Sequence, residues 1–433
     1  MSPRQGSGFG ARAKRLVAAV GRRSPAVRKL TRRVRAYRRR AMYGAVVRRN
    51  SIEEKTVVFE SYVGSSYSCS PKALYQAMLR DHWFDDYTLI WALKRPKDYS
   101  DVAELGRATV VAWGSPAYFA AYARAKHWVC NCAVPVEVIP RKDQVYLQTW
   151  HGTPLKRFGC DITLPGDSIR ASAERVRRWE RSARKFTYLL TQSPFASGRL
   201  TSALGLDPVR APRVIVEDGY PRNDFLIEAT PSDIERLRAS LDLPEDKKVV
   251  LYAPTWRDDQ RTPGVGYTLE LGVDFDRLRR ELGDGYVILF RAHFLIADSF
   301  DFDRYDGFVR DVSRIDDVND LYLVSDLLMT DYSSVFFDYG NLERPVVFYM
   351  YDLDRYAEGR GGFYLDLAEL PGPIVRSQDD LAAAIRAAGV ADPEADRRRH
   401  DFRERFAPKD DGHAGERLLA RLFGTRDEDW HSK

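Results

Sequence analysis

The sequence DLLMTDYSSVFFDY, at residues 326–339, indicates the fold class most clearly. Leu327–Thr330 is a short apolar run typical of a buried strand, and the pattern predicts a helix from Ser334 onward. Ser333 or Ser334 suits the start of that helix, because a serine oxygen there accepts a hydrogen bond from a backbone N–H. Strand, polar turn and helix in this order form the unit from which parallel α/β sheets are built.

The same alternation extends on both sides of this stretch in the second half of the chain. Strands are predicted at Lys248–Ala253, Tyr286–Arg291, Val309–Asp311 and Val346–Tyr349. Helices are predicted at Ser232–Leu241, Phe275–Leu282, Asp317–Val324, Ser334–Leu342 and Gln378–Ala388, followed by a charged helical tail. Residues 231–433 therefore read as one α/β domain with C-terminal helices.

The first half repeats the pattern. Strands are predicted at Thr56–Glu60, Thr88–Leu93, Thr109–Trp113, Trp128–Cys132, Val145–Thr149, Tyr188–Thr191 and Val214–Val216. Helices are predicted at Lys72–Arg80, Pro116–Ala125 and Ile169–Lys185. With a boundary near residue 230, residues 51–230 form a first domain. We expect two doubly wound, Rossmann-like α/β domains that face a cleft.

A basic N-terminal arm precedes this body. Residues 1–50 contain 16 of the 68 Lys and Arg and none of the 62 Asp and Glu, so the arm carries +16 and the rest −10. Ser24 and Pro25 suit a helix start, and an apolar stripe follows at Val27, Leu30, Val34, Tyr37 and Ala41. Such a helix suits an anionic membrane surface, whereas a solvated tail or a nucleic-acid-binding tail is the alternative.

Composition excludes several other classes. The 433 residues are 44% hydrophobic and 30% charged, which is typical of a folded protein rather than a disordered or fibrous one. Four cysteines argue against a disulfide scaffold and favour a reducing, cytoplasmic compartment. No apolar run approaches the ~18 residues of a membrane span, and residues 16–21 are too short for a signal-peptide core. The acidic body does not indicate a nucleic-acid-binding domain.

The segment QTWHGTPLK at residues 148–156 carries the first chemical candidate. His151 comes just after a predicted strand, at the sheet edge where open α/β sheets bind ligands. A histidine there is suited to accept a proton near neutral pH. A packed histidine at a strand–loop junction is the alternative, although the neighbouring Gly152 and Lys156 favour a site.

Further polar groups follow strands of the second half. Arg257 ends the segment APTWR at 253–257, and Arg291 and His293 share a face in the segment RAH at 291–293. An Arg–His pair suits a phosphate group, with a surface ion pair as the alternative. Backbone N–H groups at Ser333 and Ser334 also suit a phosphate, with an ordinary capped helix as the alternative. Asp352 and Asp354 form a D-x-D pattern too common to predict a metal site.

Taken together, these segments resemble one family. The chain resembles the CDP-glycerol glycerophosphotransferases, the teichoic-acid primases and polymerases. The segments that carry the resemblance are WHGTPLK at 150–156, APTWR at 253–257, R-x-H at 291–293, TDYSSVFFDY at 330–339, and RPVVFYMYD with RGGFY between 344 and 364. The resemblance covers roughly residues 145–370. Phe294, where the family usually has proline, and the second glycine of RGGFY depart from the family pattern.

The resemblance implies a fold of the glycosyltransferase-B type and a peripheral enzyme on the cytoplasmic face of the membrane, attached through residues 12–49. The implied reaction transfers glycerol phosphate from CDP-glycerol to a hydroxyl of a membrane-linked acceptor, a lipid-linked saccharide or polymer, and releases CMP. No cofactor, metal or nucleic acid is implied. The catalytic candidates are His151 and His293. The substrate-binding candidates are Arg291, Thr330, Ser333, Ser334, Asp352, Arg257, Lys156, Arg360 and Tyr364.

Several alternatives stay open at this point. A ribitol-phosphate transferase using CDP-ribitol and a glycosyltransferase using a nucleotide sugar fit the same fold. A catalytically silent nucleotide-binding scaffold on the membrane is the alternative that is not an enzyme. Without a large additional N-terminal domain in these 433 residues, we expect a short or core-only transferase. Acceptor identity, single addition or polymerisation, oligomeric state and metal dependence are equally open.

Overall fold

A computed structural model of the protein describes residues 25–163, 168–255, 261–262, 266–267, 272–292 and 302–424. Two parallel sheets with helices on their faces account for most of these residues. No helix in the described ranges is both long enough and apolar enough to cross a bilayer.

The first sheet, as described, has seven strands: β1 (Glu53–Glu60), β2 (Thr88–Leu93), β3 (Thr109–Ala112), β4 (Ala125–Cys130), β5 (Val145–Gln148), β6 (Tyr188–Leu190) and β7 (Ile215–Val216). Their order is β3-β2-β1-β4-β5-β6-β7, and every pair is parallel. The strand order therefore reverses direction between β1 and β4. The carboxyl ends of all seven strands lie along one edge of the sheet.

The second sheet has six described strands: β8 (Lys248–Ala253), β11 (Tyr286–Phe290), β12 (Val309–Asp311), β13 (Leu327–Thr330), β14 (Val346–Tyr349) and β15 (Ile374–Val375). The order β12-β11-β8-β13-β14-β15 is again parallel throughout, with its reversal between β8 and β13. Two short strands, β9 (Arg261–Thr262) and β10 (Gly266–Tyr267), form a separate antiparallel pair.

Helices connect the strands. In the first half they are α1 (Pro25–Arg49), α2 (Cys69–Leu79), α3 (Pro116–Arg124), α4 (Ile169–Ala183), α5 (Pro194–Ala203), α6 (Ala211–Val214) and α7 (Pro221–Glu228). In the second half they are α8 (Pro231–Ser240), α9 (Phe275–Leu282), α10 (Val318–Val324), α11 (Val335–Tyr339), α12 (Leu353–Arg360), α13 (Gln378–Ala388), α14 (Pro393–Phe406) and α15 (Ala414–Phe423).

Both sheets are buried on both faces, as parallel sheets require. In β1, Val58 points into one apolar cluster, whereas Val57 and Phe59 point into another on the opposite face. Leu418 and Leu419 of α15 belong to the Val57–Phe59 cluster, so the chain returns from the second sheet to cover the first. The division into domains at residue 230 stays a prediction.

The predicted elements agree closely with these bounds. The strands Lys248–Ala253, Val309–Asp311, Leu327–Thr330 and Val346–Tyr349 are confirmed residue for residue. The prediction of two parallel, doubly wound α/β sheets is confirmed. The helix expected from Pro25 is present, but residues 1–24 lie outside the described residues and the basic arm as a whole stays a prediction. The predicted helix from Ser334 ends earlier than expected, because α11 tightens into a 3₁₀ turn at Gly340–Leu342.

Candidate active site

Two loops from different halves of the chain touch at the carboxyl edges of the sheets. Gly152 follows β5, and Ser334 follows β13. A Cβ atom built on Gly152 would lie only 2.6 Å from Ser334 Oγ, and the Gly152 φ of +155° lies in a region that other residues rarely adopt. Glycine is therefore required here, because any side chain would separate the histidine loop from the Ser333–Ser334 turn.

His151 is oriented by a backbone oxygen and two aromatic rings. Its Nδ1 lies 2.7 Å from the backbone oxygen of Asn131, so we place the ring proton on Nδ1, which donates this bond. The ring stacks on Trp150 with 4.7 Å between centroids and meets the ring of Tyr62 at 5.9 Å, tilted by 62°. The Nε2 atom then carries the lone pair that a general base needs.

The surroundings favour the neutral form of His151. The side chain is solvent-accessible, but it packs against the rings of Trp150 and Tyr62, which restrict its hydration. This desolvation lowers the pKa of His151 below its ordinary value of 6.5; the bond to Asn131 opposes the shift, and the positive charge of Arg222 adds to it. His151 is therefore unprotonated at neutral pH, as a proton acceptor must be.

The turn after β13 is held rigidly by its acidic residue. Asp331 is buried, and its Oδ1 accepts hydrogen bonds from the backbone N–H groups of Thr255 (2.8 Å) and Tyr332 (2.5 Å). This carboxylate is thus directed at backbone donors of its own half. Ser333 and Ser334 are partly exposed, and Ser334 precedes α11 without a side-chain cap. The turn can present N–H groups to an anion.

Thr330 lies beneath this turn. Its side chain is fully buried, and its hydroxyl donates to the backbone oxygen of Ala253 at 2.7 Å. This bond joins β13 to β8 at their carboxyl ends, next to the site. A direct contact between Thr330 and a substrate stays a prediction.

Arg291 follows β11 and organises the loop beyond β12. Its guanidinium donates to the backbone oxygens of Val312 (3.3 Å), Ile315 (2.5 Å) and Asp316 (3.4 Å). The same loop reaches the first half, where the backbone N–H of Tyr67 donates to Asp316 Oδ2 at 3.4 Å. Arg291 thus supplies positive charge while it anchors a contact between the halves.

An aromatic stack lies below the site. Tyr332 stacks on Tyr356 with 3.8 Å between ring centroids, and the Tyr332 hydroxyl donates to Asp352 Oδ1 at 3.1 Å. Lys156 Nζ donates to the Tyr356 hydroxyl at 3.0 Å. Two of the candidates, Asp352 of the second half and Lys156 of the first, are therefore brought to one aromatic platform of the second half.

Tyr364 lies in the loop after α12, which docks on the histidine loop. Its backbone N–H donates to the oxygen of Leu155 at 2.8 Å, and its hydroxyl donates to Asp161. The guanidinium groups of Arg157 and Arg199 each lie 5.6 Å from the centre of its ring. Tyr364 is therefore hydrogen-bonded to the first half through both its backbone and its hydroxyl. A contact between Tyr364 and a substrate stays a prediction.

Three candidates are not placed by the structure. His293 and Arg257 lie outside the described residues. Arg360 ends α12, but its side chain is outside the described part. Their roles stay predictions. Among the described residues, no group of three or more His, Cys, Asp or Glu side chains is arranged to hold a metal ion.

Sequence reasoning missed three residues of the site: Asn131, Tyr62 and Arg222. Asn131 fell inside the predicted strand Trp128–Cys132. In the structure β4 ends at Cys130, so the backbone oxygen of Asn131 is free of the strand and binds His151. Tyr62 lies in a serine-rich loop without a known pattern. Arg222 lies close to the predicted domain boundary near residue 230. Its partner Asp338 is 116 residues away in the sequence, so no local sequence pattern predicts the pair.

Arg222 joins the halves directly beneath the site. It is buried and donates to both carboxylate oxygens of Asp338, at 3.1 and 2.8 Å. Its guanidinium also lies 4.1 Å from the ring centre of Tyr220. Asp338 belongs to α11, so this ion pair sets the Ser333–Ser334 turn relative to the first half.

The fold and the facing loops define a protein of the glycosyltransferase-B type. The family model for CDP-Glycerol:Poly(glycerophosphate) glycerophosphotransferase matches residues 41–424. The chain belongs to this family, and the resemblance read from its motifs is confirmed.

Curated relatives agree with this assignment. The chain is 39% identical over 388 residues to a teichoic acid poly(glycerol phosphate) polymerase of Staphylococcus epidermidis, an alignment that covers 88% of this chain and 52% of the relative. It is 38% identical over 374 residues to a teichoic acid glycerol-phosphate transferase of Staphylococcus aureus. This alignment covers 85% of this chain and 92% of the relative. The chain spans about half the length of the first two curated relatives it matches.

Solved structures show the same fold. The structure of the wall teichoic acid polymerase TagF superposes with a TM-score of 0.80 at 37% identity, covering 91% of this chain and 96% of that chain. A variant of that polymerase soaked with CDPG superposes with the same TM-score. The expected glycosyltransferase-B type of fold is thereby confirmed.

Proposed function

We propose that the protein transfers glycerol phosphate from CDP-glycerol to a hydroxyl of a membrane-linked acceptor and releases CMP. The observation that carries this proposal is the contact of Gly152 with Ser334, which brings a neutral histidine of one half against a phosphate-suited turn of the other. The names of the relatives point the same way. The acceptor is a teichoic-acid-like or related glycopolymer, or the lipid-linked saccharide that begins it.

His151 acts as the general base in this proposal. The acceptor oxygen attacks the β-phosphorus, its proton passes to His151 Nε2, and the bond from the β-phosphorus to the bridging oxygen of CMP breaks. The bond from His151 Nδ1 to Asn131 holds the ring for this transfer. A positioned base contributes about 10²–10⁴-fold to the rate.

The second half holds the pyrophosphate. Arg291 and the N–H groups at Ser333 and Ser334 bind its oxygens, since phosphoryl transfer depends on positioning and on neutralising charge. His293 binds the pyrophosphate or protonates the leaving CMP. Arg257, Arg360 and Lys156 add positive charge, and Thr330, Asp352 and Tyr364 contact the nucleotide or the glycerol. The Thr330 hydroxyl is fully buried and bonded within the protein, which makes Thr330 the weakest member of the set.

Ribitol phosphate is the second candidate for the transferred group. Relatives named for ribitol-phosphate polymerisation match 48–67% of this chain at 31–32% identity. The relatives named for glycerol phosphate at 35–39% identity cover 85–88% of it. The broader match favours glycerol. A nucleotide-sugar glycosyltransferase is less favoured, because these relatives are named for glycerol phosphate. A silent scaffold is less favoured, because it needs no neutral histidine next to a phosphate-suited turn.

A membrane surface is the proposed location of the enzyme, on its cytoplasmic face. Helix α1 belongs to the proposed attachment segment at residues 12–49, and its side chains Val34 and Tyr37 are 49% and 75% exposed. Its last turns dock on the body, where Tyr43 is buried and its hydroxyl donates to the backbone oxygen of Ile139 at 3.0 Å. An arginine-rich helix with exposed apolar residues binds anionic lipid by charge and shallow insertion.

A donor panel tests the proposal. The purified protein is incubated with a lipid-linked saccharide acceptor and CDP-glycerol, CDP-ribitol or a UDP-sugar, and the release of CMP or UDP is measured. We expect acceptor-dependent CMP release that is fastest with CDP-glycerol. Faster turnover of CDP-ribitol would assign ribitol instead, UDP release would assign a glycosyltransferase, and no release with any donor would favour the scaffold.

A further inference from the structure

The strand order of the first sheet reverses between β1 and β4, and open α/β sheets bind ligands at the carboxyl ends of the strands at such a point. Tyr62 belongs to the loop after β1, and Asn131 comes directly after β4. The backbone N–H of Tyr62 donates to Asn131 Oδ1 at 2.7 Å, while the backbone oxygen of Asn131 binds His151. Tyr62 and His151 therefore share one anchoring residue at this point of the sheet edge.

The backbone at Tyr62 is held in an unfavourable conformation. Tyr62, Val63 and Gly64 have φ values of +47°, +58° and +74°, and such values are rare for tyrosine and valine. The surrounding bonds impose them, since Ser65 N–H donates to the Ser61 oxygen at 3.1 Å and Lys94 N–H donates to the Gly64 oxygen at 2.7 Å. Strain of this kind persists where the rest of the structure fixes a functional side chain.

Tyr62 is partly exposed beside His151. The residue is 36% exposed, and its ring centroid lies 5.9 Å from the centroid of the His151 ring. Burial raises the pKa of its hydroxyl well above 10, and the Cys69 thiol adds to the shift. The hydroxyl therefore stays protonated and is not a second base, whereas the ring offers an apolar surface beside the imidazole.

The same loop is tied to the donor half. Lys72, just after the loop, forms an ion pair with Asp317 at 3.0 Å, and Tyr67 contacts Asp316. Asp316 and its neighbours are the residues whose backbone oxygens bind Arg291. The position of Tyr62 is thus set by both halves of the chain.

We propose that Tyr62 is an acceptor-binding residue. The exposed part of its ring packs against the carbon skeleton of the terminal polyol or sugar of the acceptor and directs the attacking hydroxyl to His151 Nε2. This inference rests on the proposed function and specifies its acceptor side. Aromatic rings suit the C–H faces of polyols and sugars, and such a contact contributes up to about tenfold in affinity.

Steady-state kinetics with a short-chain lipid-linked saccharide that ends in glycerol phosphate test this role. Tyr62→Ala should raise the KM for this acceptor about tenfold and leave the KM for CDP-glycerol within about twofold. Tyr62→Phe keeps the ring and should match the wild type. Phe225→Ala is the matched control, because Phe225 is 38% exposed on α7 and should change neither KM.

Three results would overturn the inference: an unchanged acceptor KM in Tyr62→Ala, an equal rise of both KM values, or a defect in Tyr62→Phe as large as in Tyr62→Ala. Thermal melts check the fold of each variant. Should Tyr62→Ala not fold, Tyr62→Leu replaces it with the same expectation. A wild-type protein that transfers nothing from a CDP-polyol overturns the proposed function and this inference together, whereas an active wild type with an unaffected Tyr62→Ala overturns this inference alone.

Discussion

His151 combines a fixed ring with an unprotonated nitrogen. Asn131 holds Nδ1, Trp150 supports one face of the ring, and the surrounding protein disfavours a positive charge. His151→Ala should lower kcat by about 10²–10⁴-fold, because the proton acceptor is lost. Binding of CDP-glycerol, measured by calorimetry, should change little. His82→Ala is the matched control, since His82 is 99% exposed; equal activity of the two variants would remove His151 from the mechanism.

The pH dependence follows from the same environment. The pKa of His151 is lowered below 6.5, so the base is neutral above that pKa and protonated below it. The plot of kcat/KM against pH should therefore be level at neutral pH and fall on the acid side only below 6.5, tenfold per pH unit. The residual activity of His151→Ala should lack this acid limb. An acid limb centred above 6.5 would show that another group carries the proton.

Gly152 is a residue at which the two halves approach closely. Gly152→Ala would push a Cβ against Ser334 Oγ, 2.6 Å away, and shift both loops. A displacement of about 1 Å in an active site costs up to about 10²-fold, so kcat/KM should fall by about that factor. Gly198→Ala serves as the control, since nothing lies within 4 Å of that Cβ. Full activity of Gly152→Ala would mean that the two loops need not touch.

At the scale of elements, the strands were predictable and their long-range partners were not. A short apolar run bounded by polar residues predicts a strand such as Leu327–Thr330. The Ile374–Val375 strand was missed, because two residues carry no periodicity. The arrangement of Asn131 and His151 depends on where β4 ends, and boundaries are set by tertiary contacts as much as by local preference.

The pairing of α7 with α11 gives a stability prediction. Asp338→Asn leaves the buried guanidinium of Arg222 without a counter-charge, and breaking a buried pair costs about 3–5 kcal/mol. The free energy of unfolding, from urea titration, should fall by that amount. Arg95→Ala breaks an exposed pair with Asp98 and should cost less than about 1 kcal/mol. Equal losses in the two variants would mean that Arg222 does not join the halves.

At the scale of the whole molecule, the basic helix α1 and the acidic body have different proposed tasks, which are attachment to a surface and binding of the substrate. Arg38, Arg40, Arg48 and Arg49 of α1 are exposed, whereas the charged candidates of the site belong to a body that is acidic overall. The charge of the arm predicts an anionic surface as its partner, which stays a prediction, and the net charge of the body was uninformative about the substrate. The return of α15 to the first sheet was not predictable, because its apolar positions do not specify which sheet they cover.

Attachment to membranes is best tested without removing α1. Tyr43 is buried against the body, so deletion of residues 1–50 would free the protein from membranes but also expose the core. Val34→Asp with Tyr37→Asp keeps that docking and should reduce cosedimentation with anionic vesicles at least about tenfold, while activity on a water-soluble acceptor persists. Unchanged sedimentation would contradict attachment through this helix.

In the proposed reaction the β-phosphorus and the glycerol move together from the donor to an acceptor hydroxyl. CDP-glycerol labelled with ³²P at the β-phosphorus and ¹⁴C in glycerol tests it in one reaction with the lipid-linked acceptor. We predict that both labels enter the acceptor in equal amounts, that CMP is released unlabelled, and that His151→Ala incorporates neither at a comparable rate. Incorporation of ¹⁴C without ³²P, or of neither label by the wild type, would contradict the account.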